Sequence, residues 1–286
     1  VDNTGDVLDL GDVVTLHNNG VIIGGTVHAG LHISYDSELR DDVTVNGPIT
    51  FEDYERLNVD GNLALNGRAT LDYRRQQIRF QSGDRVLTGD SSSEVWLLSD
   101  HSSYYAELGL EDNTSLTVDA NTLIHGEGYV GTRDKSIRTG TSITNYGTIR
   151  ADRSGDLDVT PRALTNLGRM ESTQSSADLM IEGLNSFNNE SAGVIEANSG
   201  DVYIDTTFTN EGEMNVVNGG KLSLGGNWQN AGTINLTDGS LYLGGSFATS
   251  AIGTLNRQAG TTVRISGTVD NTGDVLDLGD VVTLHN

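Results

Sequence analysis

Cysteine is absent from this 286-residue sequence, so disulfides and thiolate metal sites are excluded, while the compartment stays undefined. Positive charge is scarce: 17 Lys and Arg stand against 40 Asp and Glu, a formal net charge of −23. A surface of that sign repels nucleic acid and anionic membrane, attracts cations, and keeps a long polymer soluble. The acidic residues are spread along the chain without long single-sign blocks, unlike a disordered acidic tail. No apolar run approaches the ~18 residues that a bilayer crossing requires, so this segment is not expected to insert in a membrane, and the sequence does not open on a signal peptide. Proline is almost missing, at Pro48 and Pro161 only, against 36 glycines, which suits short strands joined by tight turns.

What is present is repetition. VDNTGDVLDLGDVVTLHN fills Val1–Asn18 and returns at Val269–Asn286 with every position identical. Residues 1–268 therefore read as one full period of a long tandem repeat, and 269–286 as the start of the next identical copy. Coils within one period share only a skeleton, whereas stretches one full period apart agree completely where they overlap. That contrast implies recent duplication or homogenisation of the whole unit.

Within the long period runs a short one of about 20 residues, carried by the phrase apolar-x-Asn-x-Gly-x-apolar. It aligns a first apolar column, Ile143, Leu164, Phe187, Phe208, Trp228, Phe247 and Val269, and an asparagine column, Asn145, Asn166, Asn189, Asn210, Asn230 and Asn271, with Asn3 as the copy of Asn271. A second apolar column follows the glycine: Ile149, Met170, Ile195, Met214, Ile234, Leu255 and Val275. A third is made of alternating pairs, Leu157/Val159, Leu179/Ile181, Val202/Ile204, Leu222/Leu224, Leu241/Leu243 and Val263/Ile265. Alternation over four to six positions indicates strands with one buried face. Such strands recurring in register describe an all-β fold, a parallel β-helix (β-solenoid), in which each coil's apolar face is covered by its neighbours. The asparagines are placed for an amide ladder running from coil to coil. At this pitch the period holds about 13 coils and advances about 60 Å. The stretch Asp72–Arg85 fits worst and is expected to form a wider coil or an excursion. Val7, Leu8, Leu10, Val13, Val14 and Leu16 give Val1–Asn18 an ordinary coil pattern, so neither end reads as a polar cap, and each is expected to need a neighbouring copy.

Candidate chemistry is sparse. Asp152, Asp156 and Asp158 form the best carboxylate cluster; they read either as a solvated turn entering a strand or as a weak calcium site, three carboxylates being fewer ligands than calcium takes. No other cofactor is implied. His28 and His32 lack a third ligand for zinc, and His125-Gly-Glu127 fits a coil corner better than a hydrolytic site. No nucleophilic triad or phosphate-cradling loop can be assembled, so no catalytic residue is assigned. Tyr104 and Tyr105 are candidates for stacking on a glycan or for packing a corner. Arg68, Arg74, Arg75, Arg79 and Arg85 fall close together in an otherwise acidic chain. They read either as a locally balanced face or as a belt for lateral contact with another acidic copy or an anionic glycan.

The Asn-x-Gly phrase, followed by Leu-x-Leu-Gly-Gly at 222–226 and 241–245, resembles the β-helices of filamentous-haemagglutinin-like and autotransporter-like bacterial surface proteins. The resemblance covers Ile143–Asn286 well and the first half loosely. It implies a right-handed helix that is secreted or surface-anchored, non-catalytic, and structural or adhesive. The identical long period departs from that pattern and looks like a unit of a giant tandem-repeat surface fibre. The expectation is a stiff extracellular or cell-surface rod whose partners are further copies of itself, end to end and side by side. A glycan-binding adhesin module is the alternative, and a polysaccharide-degrading β-helix stands third.

Overall fold

The computed structural model describes residues 1–72, 74–99, 105–133, 139–278 and the backbone of 282–284. Packing divides the chain into two units, one of residues 1–149 with 160–162, the other of 150–159 with 163–286. Each is a parallel β-solenoid, and the chain holds about 12 turns spaced by ~21 residues. The only helical element among the described residues is the short 3-10 turn Thr249–Ile252.

A turn consists of three short strands on three faces. In the second unit, Asp201–Asp205 lies on what we term the leading face, Phe208–Asn210 on the motif face, and Glu213–Val217 on the trailing face. In the first unit the same order is followed by Arg56–Asp60, Leu63–Leu65 and Arg68–Asp72. Strands of one face pair in parallel with those a turn away. Leu57 aligns with Ile78 and Val59 with Phe80 in the first unit, Val202 with Leu222 and Ile204 with Leu224 in the second. Alternate side chains point inward and are buried, such as Leu57, Val59, Leu63, Leu65, Ala69 and Leu71 along one turn. The period-two pattern produces this fold because no turn can cover its own apolar side chains, while parallel stacking puts like upon like.

In the second unit the three apolar columns are continuous. Leu164, Phe187, Phe208 and Trp228 are register partners on the motif face. Met170, Ile195, Met214, Ile234 and Leu255 align on the trailing face. Successive aromatic rings of the motif face lie 6.1, 6.3 and 4.6 Å apart from Phe187 to Phe247. The Leu-Gly-Gly corners have a steric reason. Gly245 has φ +70°, and a Cβ there would lie 1.9 Å from the carbonyl oxygen of Gly226. Only glycine permits adjacent corners to approach so closely.

One expectation needs correction and one is met in part. The chain makes about 12 turns rather than about 13. Turns of the first unit differ in length: a short one carries the chain from Val21 to its partner Glu38, whereas a much longer one separates Gln77 from its partner Glu107. The stretch 72–85 holds a regular strand and the start of a widening: Gln77–Phe80 pairs with Arg56–Val59 and Phe80 is fully buried, but the connection from Phe80 to Leu87 is longer than that between their partners Val59 and Leu63. Further length enters before Glu107.

Candidate functional site

An ordered outward surface is the leading face of the second unit, where the outward positions of the alternating strands form two columns. Asp156, Asp178, Asp201, Lys221, Ser240 and Thr262 align in one. Asp158, Met180, Tyr203, Ser223, Tyr242 and Arg264 align in the other. Parallel strands are ~4.8 Å apart, so three carboxylates stand in close succession. Burial, then Asp201 and Asp156, raise the Asp178 carboxyl above its ordinary value. Lys221 ends the acidic run, paired with the Asp201 carboxylate and the Tyr203 hydroxyl. Burial pushes its ammonium down, but those two hydrogen bonds, together with the charges of Asp201 and Tyr203, outweigh it and hold Lys221 above the usual lysine value. The Lys221 ammonium also lies 4.5 Å from the Tyr203 ring centre, and the Arg264 guanidinium 5.1 Å from that of Tyr242. The face is therefore acidic at one end and cationic-aromatic at the other.

Of the aspartates singled out by sequence, Asp156 and Asp158 point out of the same strand, and Asp152 lies in the turn before it. The structure sets Asp156 in register with Asp178 instead. Among the described residues no group of three or more His, Asp or Glu side chains is arranged to hold a metal ion. His28 is exposed at a corner, while His32 meets Thr50 Oγ1 at 3.0 Å. His125 Nε2 lies 2.6 Å from Glu94 Oε1, and its ring stacks on Trp96 at 5.7 Å. Glu127 is buried.

The asparagines of the second unit form a buried chain of amides. Asn166 Nδ2 donates to Asn189 Oδ1 at 2.7 Å, Asn189 to Asn210 at 2.6 Å, and Asn210 to Asn230 at 2.6 Å. The next turn reads Phe247-Ala-Thr, and Asn230 Nδ2 donates to the backbone carbonyl of Ile252 at 2.7 Å. Asn145, in the first unit, donates to Gly147 O and is in register with Val118. Asn3 is buried and donates to the carbonyl of Thr26, whereas its copy Asn271 is exposed and accepts from Thr249 Oγ1. Of the column residues, Ile143, Leu164, Phe187, Phe208, Trp228 and Phe247 are buried and Val269 is half-buried.

The arginine group is dispersed. Arg68 bonds Glu94 on the trailing face, and its guanidinium lies 4.9 Å from the Trp96 ring centre. Arg79, nearly buried, reaches Glu107 and Glu111 at 3.1 Å each from the leading face. Arg85 bonds Asp60 at 2.6 Å, and Arg74 pairs with Asp53. Arg75 occupies a turn at φ +58°. Arg68, Arg74, Arg79 and Arg85 thus each engage a carboxylate of another turn. Tyr105 has the Arg133 guanidinium 3.9 Å from its ring centre and the Tyr129 ring at 5.8 Å; Tyr104 lies outside the described residues.

Beside the motif face, a shallow depression of about 680 Å³ is lined by Phe208, Trp228, Phe247 and polar neighbours such as Thr209 and Gln229. Its rings are at most 5% exposed and present little face to a sugar. Sequence reasoning missed Asp178, Asp201, Tyr203, Lys221, Tyr242 and Arg264. The signal was available, since each stands beside an aligned apolar residue of the third column. No family model, no curated protein and no solved structure matches the chain.

Proposed function

We propose that this chain is a non-catalytic structural repeat of an extracellular or cell-surface fibre, in which successive copies of the long period continue one β-solenoid. Residues 282–284 carry the reading. They repeat the sequence of Val14–Leu16, and they pair in parallel with Val263–Ile265, the last strand of the period on that face. The start of one period is thus a sequence that stacks on the end of the one before it. The Asn-x-Gly and Leu-Gly-Gly phrases extend the resemblance to filamentous-haemagglutinin-like bacterial surface proteins, and the acidic surface suits a concentrated polymer.

The test is a chain of several periods imaged by electron microscopy beside a single one. Unbranched filaments lengthening by about 60 Å per added period are expected. Compact particles of unchanged length would overturn the reading. A glycan-binding adhesin module is the second reading. The leading face of the second unit favours it, because Tyr203 and Tyr242 stand outward among carboxylates and hydroxyls; binding of a single period on a glycan array would support it.

A further inference from the structure

The leading face of the second unit divides sharply between its two ends. Its first three strands, Asp156–Val159, Asp178–Glu182 and Asp201–Asp205, carry Asp156, Asp158, Asp178, Glu182, Asp201 and Asp205. The next three in register, Gly220–Gly225, Gly239–Leu243 and Thr262–Ile265, contain no acidic residue. Their outward positions hold Lys221, Ser223, Ser240, Tyr242, Thr262 and Arg264 instead. Lys221 is already paired with Asp201. Arg264 is not paired with any carboxylate among the described residues: its guanidinium rests on the Tyr242 ring, and its buried Nε has no hydrogen-bond partner.

This polarity makes the face complementary to itself. Consider a two-fold axis lying in the face, parallel to the strands and midway between those of Asp201 and Lys221. It reverses the stacking direction and lays each outward column on the same column of a second copy. Asp158 then opposes Arg264 of the second copy, Met180 opposes Tyr242, and Tyr203 opposes Ser223. In the other column Asp178 opposes Ser240, and Asp201 opposes Lys221. Asp205 meets the small Gly225. Every contact occurs twice, as a two-fold interface requires, and thioether on aromatic ring is a favourable contact at its apolar positions. A two-fold axis along the stacking direction would instead set the three acidic strands of one copy on those of the other, which like charges oppose.

We propose that this face binds the same face of a second copy of the chain in antiparallel orientation, with Asp158 of each copy against Arg264 of the other. The contact is lateral and lies wholly within one period, so it does not depend on the tandem reading given above. Six strands of about five residues offer roughly 450 Å² per copy, about half of what a standard stable interface buries on each side. Single chains would therefore associate weakly and reversibly.

Charge reversal, singly and in combination, decides it. Sedimentation equilibrium of the 286-residue chain in ~0.15 M salt, which screens long-range repulsion between acidic copies, is expected to show a monomer–dimer equilibrium across about 10 μM to 1 mM. Arg264→Asp and Asp158→Arg each place two like-charge pairs in the dimer and are expected to weaken it about tenfold or more. Both substitutions lie at outward positions, and circular dichroism and melting curves matching the parent protein separate lost association from lost folding. Mixed in equal amounts, the two variants are expected to recover association near the parent level. In the mixture the aspartate introduced at 264 meets the arginine introduced at 158, and the unaltered Asp158 meets the unaltered Arg264. A parent chain that stays monomeric throughout would overturn the proposal and leave the face to the glycan reading. Association undiminished in both variants would place the contact elsewhere, such as at the ends, and would also overturn it. Weakened variants that fail to complement each other would exclude the antiparallel pairing.

Discussion

The two units use the same three-stranded turn but hold neighbouring turns together differently. In the second, turn length varies little, between the short step from Lys221 to Ser240 and the slightly longer one from Met170 to Ile195. Corners then superpose, and a side chain as short as asparagine reaches its copy in the next turn from Asn166 to Asn230. In the first unit the step from Gln77 to Glu107 is almost twice that from Val21 to Glu38. Corners there are offset, and no such chain of inward amides forms among the described residues. Long side chains connect the turns there, Arg56 with Asp36, Arg85 with Asp60, Arg68 with Glu94 and Arg79 with Glu107, whereas the second unit has such pairs, Arg150 with Glu171 and Arg169 with Glu196 among them, in addition to its ladder. A flexible guanidinium tolerates offset corners, whereas an amide ladder requires equal ones.

The contrast breaks most readily at the aromatic stack. Phe208→Ala removes a ring packed between Phe187 and Trp228 and is expected to destabilise the second unit by about 3–5 kcal/mol. A urea midpoint within error of the parent protein would show that the stack relaxes around the gap. In the first unit, Arg79→Ala leaves the nearly buried Glu107 carboxylate without that guanidinium, an expected loss of about 3 kcal/mol, while Arg74→Ala at the exposed Asp53 pair changes stability by less than about 1 kcal/mol. Equal effects at the two sites would mean that burial does not set the strength of these ion pairs.

Asn189→Ala interrupts the ladder in its middle, removing the acceptor for Asn166 and the donor to Asn210, for about 2 kcal/mol. Amide exchange in the turns of Asn166 and Asn210 should quicken more than in the turns of Arg56 and Arg79. The smallest effect is expected at Asp178. Its carboxyl is raised by burial and by Asp201 and Asp156, so the folded state binds more protons than the unfolded one just above the ordinary value of 3.8. Stability from this group is therefore present at lower pH and lost as pH rises through the raised value. Asp178→Asn should match the parent protein near pH 3 and exceed it slightly at pH 7; a gain at pH 3 alone would reverse the sign.

The columns of the second unit were legible because three constraints coincide in sequence: a near-constant period, alternation, and the Asn-x-Gly corner. Phe187, Phe208 and Trp228 could be aligned before any coordinates. The first unit was harder, since a register that jumps from Gln77 to Glu107 leaves no period to align. Ion pairs such as Arg79 with Glu107 join positions far apart in sequence and depend on which strands become neighbours. Position alone also misjudged Asn3. It shares its sequence context with Asn271, yet one is buried and the other exposed, because the turns stacked against them differ.

The winding of each unit has a mechanical corollary. Covalent bonds run around a turn, while only hydrogen bonds and packed side chains join one turn to the next along the stacking direction. A tensile load along that direction would open one rung at a time instead of shearing many together. Each rung that yields would release about 20 residues, some ~70 Å of extended polypeptide in place of about 5 Å of stacked height. Under strain such a material would lengthen more than tenfold before its backbone bore the force, and rewinding would restore it.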